Sequence, residues 1–266
     1  MTQFLLRRIL TGRSFYFALF VGLFLSLYHV QSEIIPLQND LQYGVMFTPY
    51  TKWFEFGIKS GLISLFWILL PIIVSLPFAD TFARDRQSGY LRSILTKGKI
   101  KEYFRGLYLV NFLFAGVVIT IPLLANIYFA FMFVPNIKPD PVINNLIPLD
   151  STSSFFPDLY YSHPFIHMLF FVALAFIFAG MFATISLSIS FFAYNRFVIL
   201  VSGFLVQMLL SLIAGFTGTN ALKPTLFLLE YGAPNISFPV TMLIFGIGMI
   251  VSTLFYIIGV KKRVLA

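Results

Sequence analysis

The sequence predicts an all-α polytopic membrane protein with six transmembrane helices. Three observations predict it. Of the 266 residues, 59% are hydrophobic and 11% charged, where a soluble domain carries about 25% charged residues. Thirty-four Phe and thirteen Tyr exceed what one soluble core needs. The apolar residues fall into runs long enough to cross a bilayer, separated by polar segments that hold the charges. No composition shift marks a second domain, so residues 1–266 read as one transmembrane unit.

The chain opens on MTQFLLRRILTGRS (1–14), where Phe4, Leu5, Ile9 and Leu10 can share a helical face and Arg7, Arg8 and Arg13 take the water side. That pattern predicts an amphipathic helix on the membrane surface. Span 1 follows at Phe15–Val30; no small-x-small cleavage pattern ends it, so it reads as retained rather than as a signal peptide. The polar segment 31–57 holds Glu33, Asp40 and Glu55, with Tyr43, Tyr50 and Trp53 suited to an interface. Span 2 is expected at Ile58–Ala79, with Pro71 and Pro77 inside it and a kink as the consequence.

Residues 80–106, DTFARDRQSGYLRSILTKGKIKEYFRG, form the long charge-dense segment of the chain, with seven of its eighteen basic residues. Span 3 is expected at Leu107–Val134, with a possible bend at Pro122, and the proline-rich segment 135–162 follows. Span 4 is placed at Pro164–Ala193, a tight turn at Tyr194–Arg196, and span 5 at Phe197–Phe216. Residues 217–239 contain TLFLLEYGAPNISFP, too short to span and too apolar for an ordinary loop. A re-entrant hairpin broken at Gly232 and Pro234 is expected, with Glu230 near the outer surface. Span 6 is Val240–Val260, followed by KKR.

Six spans place both ends on one side. That side collects fourteen Lys and Arg against four on the other, and three acids against seven. The positive-inside rule therefore predicts cytoplasmic termini and a cytoplasmic 80–106 loop. The same rule accounts for the +8 net charge without nucleic acid as a partner.

No Asp, Glu, Lys or Arg falls mid-span in this assignment. That argues against an ion- or proton-coupled transporter, a voltage sensor and an intramembrane protease. His163 and His167 lie four apart but lack an HExxH context, so they and His29 are expected to be interfacial rather than metal ligands. Asn111, Asn126 and Gln207 are the candidate pathway or interhelical polar groups. Thr184, Ser186, Ser188 and Ser190 suggest close helix packing, because no GxSxG or SxxK pattern accompanies them. The absence of cysteine excludes disulfides, thiolate metal sites and thiol catalysis. No GxxxxGK[ST] loop is present, so the chain is not expected to be an enzyme or to hydrolyse ATP itself.

Within the basic loop, Asp85-Arg86-Gln87-Ser88-Gly89-Tyr90-Leu91 followed by Ile94-Leu95 resembles the pattern after the second span of ABC-2 type transporter permeases. An acid, a base and a glycine four positions after the acid precede a short hydrophobic helix there. The family often has Glu where this chain has Asp85, and a proline-containing turn where it has Lys97-Gly98-Lys99. The layout of six spans, amphipathic N-terminus and broken hairpin is similar as well.

The resemblance implies a type V-like exporter half, with two permease chains, alike or different, around a central path. A cytoplasmic coupling helix at about 84–96 would dock a separate ABC ATPase, and that partner would bind the ATP and Mg. Arg84, Asp85, Arg86, Gly89, Leu91, Arg92, Ile94 and Leu95 are then the coupling residues, the N-terminal helix braces them, and re-entrant outer helices fall at about 222–237. The residues themselves support docking too, since Leu91, Ile94 and Leu95 have helical spacing and the arginines can meet acidic groups or lipid headgroups. The segments 31–57 and 135–162 would form an extracytoplasmic cap, and an aromatic, uncharged interior favours amphiphilic cargo such as a peptide, drug, lipid or glycan. The alternatives from other classes are a non-transporting membrane scaffold or sensor of the same topology, and a membrane-embedded lipid enzyme.

Overall fold

The structure is a computed structural model that describes residues 2–39, 47–54, 61–91, 100–140, 149–231 and 234–262. Among the described residues the chain is helical, with no strand. The helices are α1 (Thr2–Leu10), α2 (Arg13–His29), α3 (Pro49–Lys52), α4 (Gly61–Ser75), α5 (Thr81–Gln87), α6 (Ile100–Phe133), α7 (Pro157–Ser162), α8 (Pro164–Ile189), α9 (Arg196–Thr217), α10 (Pro224–Phe227) and α11 (Phe238–Val260).

Five of these stretches are long and apolar enough to cross a membrane: Arg13–Leu37, α6, α8, α9 and α11. The first is longer than expected because α2 continues through a wide turn at Val30–Ile34 into a 3-10 turn. The expected second span differs most. Its described helix, α4, has 15 residues, a length of about 22 Å at 1.5 Å per residue. Pro77 lies beyond it, in the turn at 76–80, rather than inside a helix; proline has no amide to donate and disfavours helix at the residue before it. Helix α6 begins seven residues before the expected start of span 3. Tyr103 and Phe104 are buried in an aromatic cluster with Phe82, Phe191 and Tyr256, and that packing extends the helix into the basic loop.

Helix ends follow local chemistry. Proline occupies the first turn of α7, α8, α10 and α11, where its missing amide costs nothing. Asn195 caps α9, its side chain accepting from the Phe197 amide at 2.8 Å. Gly218, at φ +68°, ends α9 in the left-handed conformation.

Helix α8 is the centre of the bundle. Its most apolar window is 67% buried, against 22% for both α9 and α11, which leave broad apolar faces exposed. Close approach of α6 and α8 rests on a reciprocal socket. A Cβ on Gly116 would lie 2.4 Å from the Phe176 ring, and one on Gly180 would lie 2.4 Å from the Phe112 ring. Small residues of this kind let membrane helices pack closely where no hydrophobic force separates helix from lipid.

Hydroxyl groups tie the remaining contacts. Ser186 Oγ accepts from Ser75 Oγ at 2.9 Å, Ser202 Oγ at 3.2 Å and the Gly203 amide at 3.2 Å, joining α8 to α4 and α9. Two residues to either side, Ser188 Oγ donates to the Ser252 carbonyl at 2.7 Å and Thr184 Oγ1 meets Ser252 Oγ at 3.4 Å, joining α8 to α11.

Candidate functional site

Polar and ionic groups concentrate at the two ends of the bundle. At the end where the described chain begins and ends, two buried carboxylates anchor the segment after α4. Asp85, 1% exposed, receives both terminal nitrogens of the Arg8 guanidinium at 2.6 and 2.8 Å and the Tyr103 hydroxyl at 2.5 Å. This bidentate pair joins α5 to α1 and α6. Asp80, fully buried, pairs with Arg196 at 2.6 Å and with Arg84 at 3.0 Å, which ties the start of α5 to the start of α9. Arg86 lies over the Tyr194 ring at 4.6 Å and donates to its hydroxyl at 2.7 Å, and Gln87 Nε2 donates to the Tyr194 carbonyl at 3.2 Å.

Helix α1 differs from expectation at three positions. Leu5 and Ile9 are buried, while Phe4 and Leu10 are exposed, so the inward stripe is narrower than the sequence suggested. Arg8 turns inward to Asp85 rather than lying on the water side with Arg7. Burial opposes the Arg8 charge, yet the Asp85 carboxylate outweighs it and holds its pKa above the ordinary arginine value.

Of the expected coupling residues, Asp85 and Leu91 are packed into the chain's own body: Leu91 is 8% exposed and belongs to the main core. Arg84, Gln87, Ser88, Gly89 and Tyr90 face outward. Gly89 has φ +73°. It ends α5, with the Ser88 amide bonded to the Arg84 carbonyl and the Gly89 amide to the Arg86 carbonyl; a left-handed residue just past a helix is the glycine position. Asp85, Arg86 and Gly89 are thereby brought together in one joint. Arg92, Ile94 and Leu95 lie outside the described residues. A hollow of about 530 Å³ sits between Phe4, Arg8, Asp85, Ser88, Gly89 and Tyr90.

The three polar candidates within spans separate. Gln207 Nε2 donates to the carbonyls of Trp67 at 3.1 Å and Ile68 at 3.3 Å. Asn126 Nδ2 donates to the Ser26 carbonyl at 3.0 Å and lies 3.3 Å from His29 Nδ1, while Ser26 Oγ donates to the Pro122 carbonyl at 2.7 Å. Both are interhelical ties. Asn111 is 1% exposed, and neither its Nδ2 nor its Oδ1 has a hydrogen-bond partner among the described residues.

The opposite end holds a cluster that the sequence reading did not find. Glu230 was expected near the surface and His167, His29 and Trp53 at an interface; Glu230, His167 and Trp53 are fully buried and His29 is 3% exposed. Glu230 Oε1 lies 2.5 Å from His167 Nδ1, Trp53 Nε1 donates to Glu230 Oε2, and His167 Nε2 donates to the Phe155 carbonyl at 2.6 Å. Burial pushes the Glu230 carboxyl above its usual range, against the hydrogen bonds from His167 and Trp53. Separations of 63 and 177 residues leave no local spacing to read. The available signal was the carboxylate itself, set in the apolar run TLFLLEYG, since a buried charge demands partners. Around it the expected helical hairpin is instead two short turns, Asn220–Leu222 and α10. Tyr43 and Gly232, named in the sequence reading, lie outside the described residues.

Among the described residues no group of three or more His, Cys, Asp or Glu could hold a metal ion. No protein-family model matches the chain significantly, and neither a curated protein nor a solved structure does.

Proposed function

We propose that the chain is the membrane-spanning permease subunit of an ATP-driven exporter of the ABC-2 type. A separate cytoplasmic ATPase, which binds the ATP and Mg, docks on the 80–106 loop and drives outward movement of an amphiphilic substrate by alternating access. A second permease chain completes the path. In this reading α4 belongs to the second of six spans, both termini are cytoplasmic, and the cluster around Glu230 is extracytoplasmic in the cell membrane.

The observation that carries the reading is the joint at α5. Its apex, Gln87 to Gly89, faces outward, while Asp85 and Asp80 fasten the same short helix to α1, α6 and α9. A load applied at the apex passes through the bonds of two buried carboxylates into three elements at once. A loop that served only to fix topology would need its basic residues in water and no buried carboxylates.

The test is purification of the chain from its native membrane in mild detergent, with ATP hydrolysis measured on the eluate. The reading expects a co-purifying P-loop ATPase whose turnover depends on this chain. A native preparation with the chain intact and no ATPase bound would overturn it.

A further inference from the structure

The Glu230 cluster has a proton count fixed by its bonding. The Phe155 carbonyl can only accept, so His167 carries a proton on Nε2. The Trp53 indole can only donate, so Glu230 Oε2 accepts. The close contact between His167 Nδ1 and Glu230 Oε1 then requires one proton between them. It can sit on the imidazole, giving an ion pair, or on the carboxyl, giving two neutral groups. The net charge of the site is zero either way.

A second proton changes this. It makes an imidazolium facing a carboxylic acid, with a net charge of +1 in a fully buried site, which is costly. Both carboxyl oxygens already receive a donor, so the added O–H finds no acceptor without displacing His167 or Trp53. Among the described residues no lysine, arginine or second carboxylate pairs with either group. Among the described residues, Tyr160 from α7 faces them, its ring 5.4 Å from the His167 ring, and Tyr50 from α3 interacts with Tyr160 in turn. His163 stands four residues before His167, just ahead of α8, and Tyr231 follows Glu230 in the chain.

The cluster also joins separate pieces of chain. Trp53 comes from the segment after α3, Phe155 from the segment before α7, His167 from α8 and Glu230 from the segment between α10 and α11. The Ile236 amide bonds the Thr152 carbonyl at 3.3 Å beside it.

We propose that Glu230 and His167 form a proton-binding site that clamps this end of the bundle shut while they share one proton and releases it when a second proton binds. This reading goes beyond the exporter assignment and needs no ATPase partner.

The test uses Trp53 as the reporter. The chain has two tryptophans, and the Trp67 indole nitrogen has no hydrogen-bond partner among the described residues, so Trp67→Phe leaves one fluorophore and breaks no bond among them. In the full-length Trp67→Phe chain in lipid vesicles, acidification from about pH 7 to about pH 4 is expected to red-shift Trp53 emission and to expose it to an aqueous quencher. Adding Glu230→Gln sets an amide oxygen toward Trp53 and its NH2 toward Nδ1 and removes the carboxyl that takes up the second proton, so the midpoint of the acid transition is expected to move. His167→Asn removes the other titrating group and is expected to do the same. Absence of the transition in the Trp67→Phe chain, or its persistence unchanged in whichever double variant folds, overturns the proposal.

Discussion

Gln207 donates its side-chain amide to the carbonyl of Trp67, the acceptor that Pro71 leaves without its helical partner. Proline removes the amide that would bond the carbonyl four residues earlier, and a glutamine from α9 takes its place. Gln207→Leu is therefore expected to destabilise the chain by about 1–2 kcal/mol, read from unfolding in detergent. In a Pro71→Ala background, the restored amide serves the carbonyl and the same change is expected to cost measurably less. Equal costs in the two backgrounds would contradict the pairing.

The reciprocal glycine sockets make a second prediction. Gly180→Ala places a methyl against Phe112 on one face of α6, and overpacking of this kind costs about 1–3 kcal/mol. Phe112→Leu in the same chain is expected to recover part of the loss. No recovery would place the strain elsewhere.

Asp85→Asn keeps the shape of the joint and removes its charge. Breaking one side of a buried pair costs roughly 3–5 kcal/mol when both groups are buried; Arg8 keeps 28% of its side chain exposed, so a smaller loss is expected. The specific readout is hydrogen exchange in α1, whose amides are expected to lose protection while those of α8 keep theirs. Uniform loss across the bundle would mean that Asp85 serves the fold generally rather than the α1–α5 joint.

Glu230 predicts a pH dependence of stability. Burial raises its carboxyl above the unfolded value, so the folded chain binds the proton more tightly than the unfolded one. The contribution of this first proton is then lost as pH rises through the raised folded value, separately from the release that a second proton drives at acid pH. Denaturation midpoints are expected to fall over that alkaline-going window, and Glu230→Gln is expected to flatten the fall. The same slope in both chains would contradict a raised carboxyl at this position.

The helical class and the approximate positions of α6, α8, α9 and α11 were legible because apolar run length is a one-dimensional signal. The second span was legible only in part. Hydropathy runs on through Pro77, whereas the helix stops before it. At the joint, the motif Asp85-Arg86-Gly89 was readable, and the structure supplies its physical content: Gly89 stops α5 and Asp85 receives Arg8 and Tyr103. What the sequence could not say is that Asp85 and Leu91 face inward, because partners 77 residues away leave no trace in local periodicity. The Glu230 cluster was hidden for the same reason. Each of its members reads alone as an interfacial residue, and only folding brings them together.

The most direct test of the central claim is the ATPase activity of the intact complex carrying changes at the joint. Gly89→Pro cannot hold φ +73° and so displaces the apex, and Arg86→Glu breaks the stack on Tyr194. Both variants are expected to insert and co-purify with normal yields of the chain, and both are expected to lose the stimulated ATP hydrolysis. Wild-type stimulation in those two variants would contradict the assignment of the 80–106 loop as the joint between this chain and its motor.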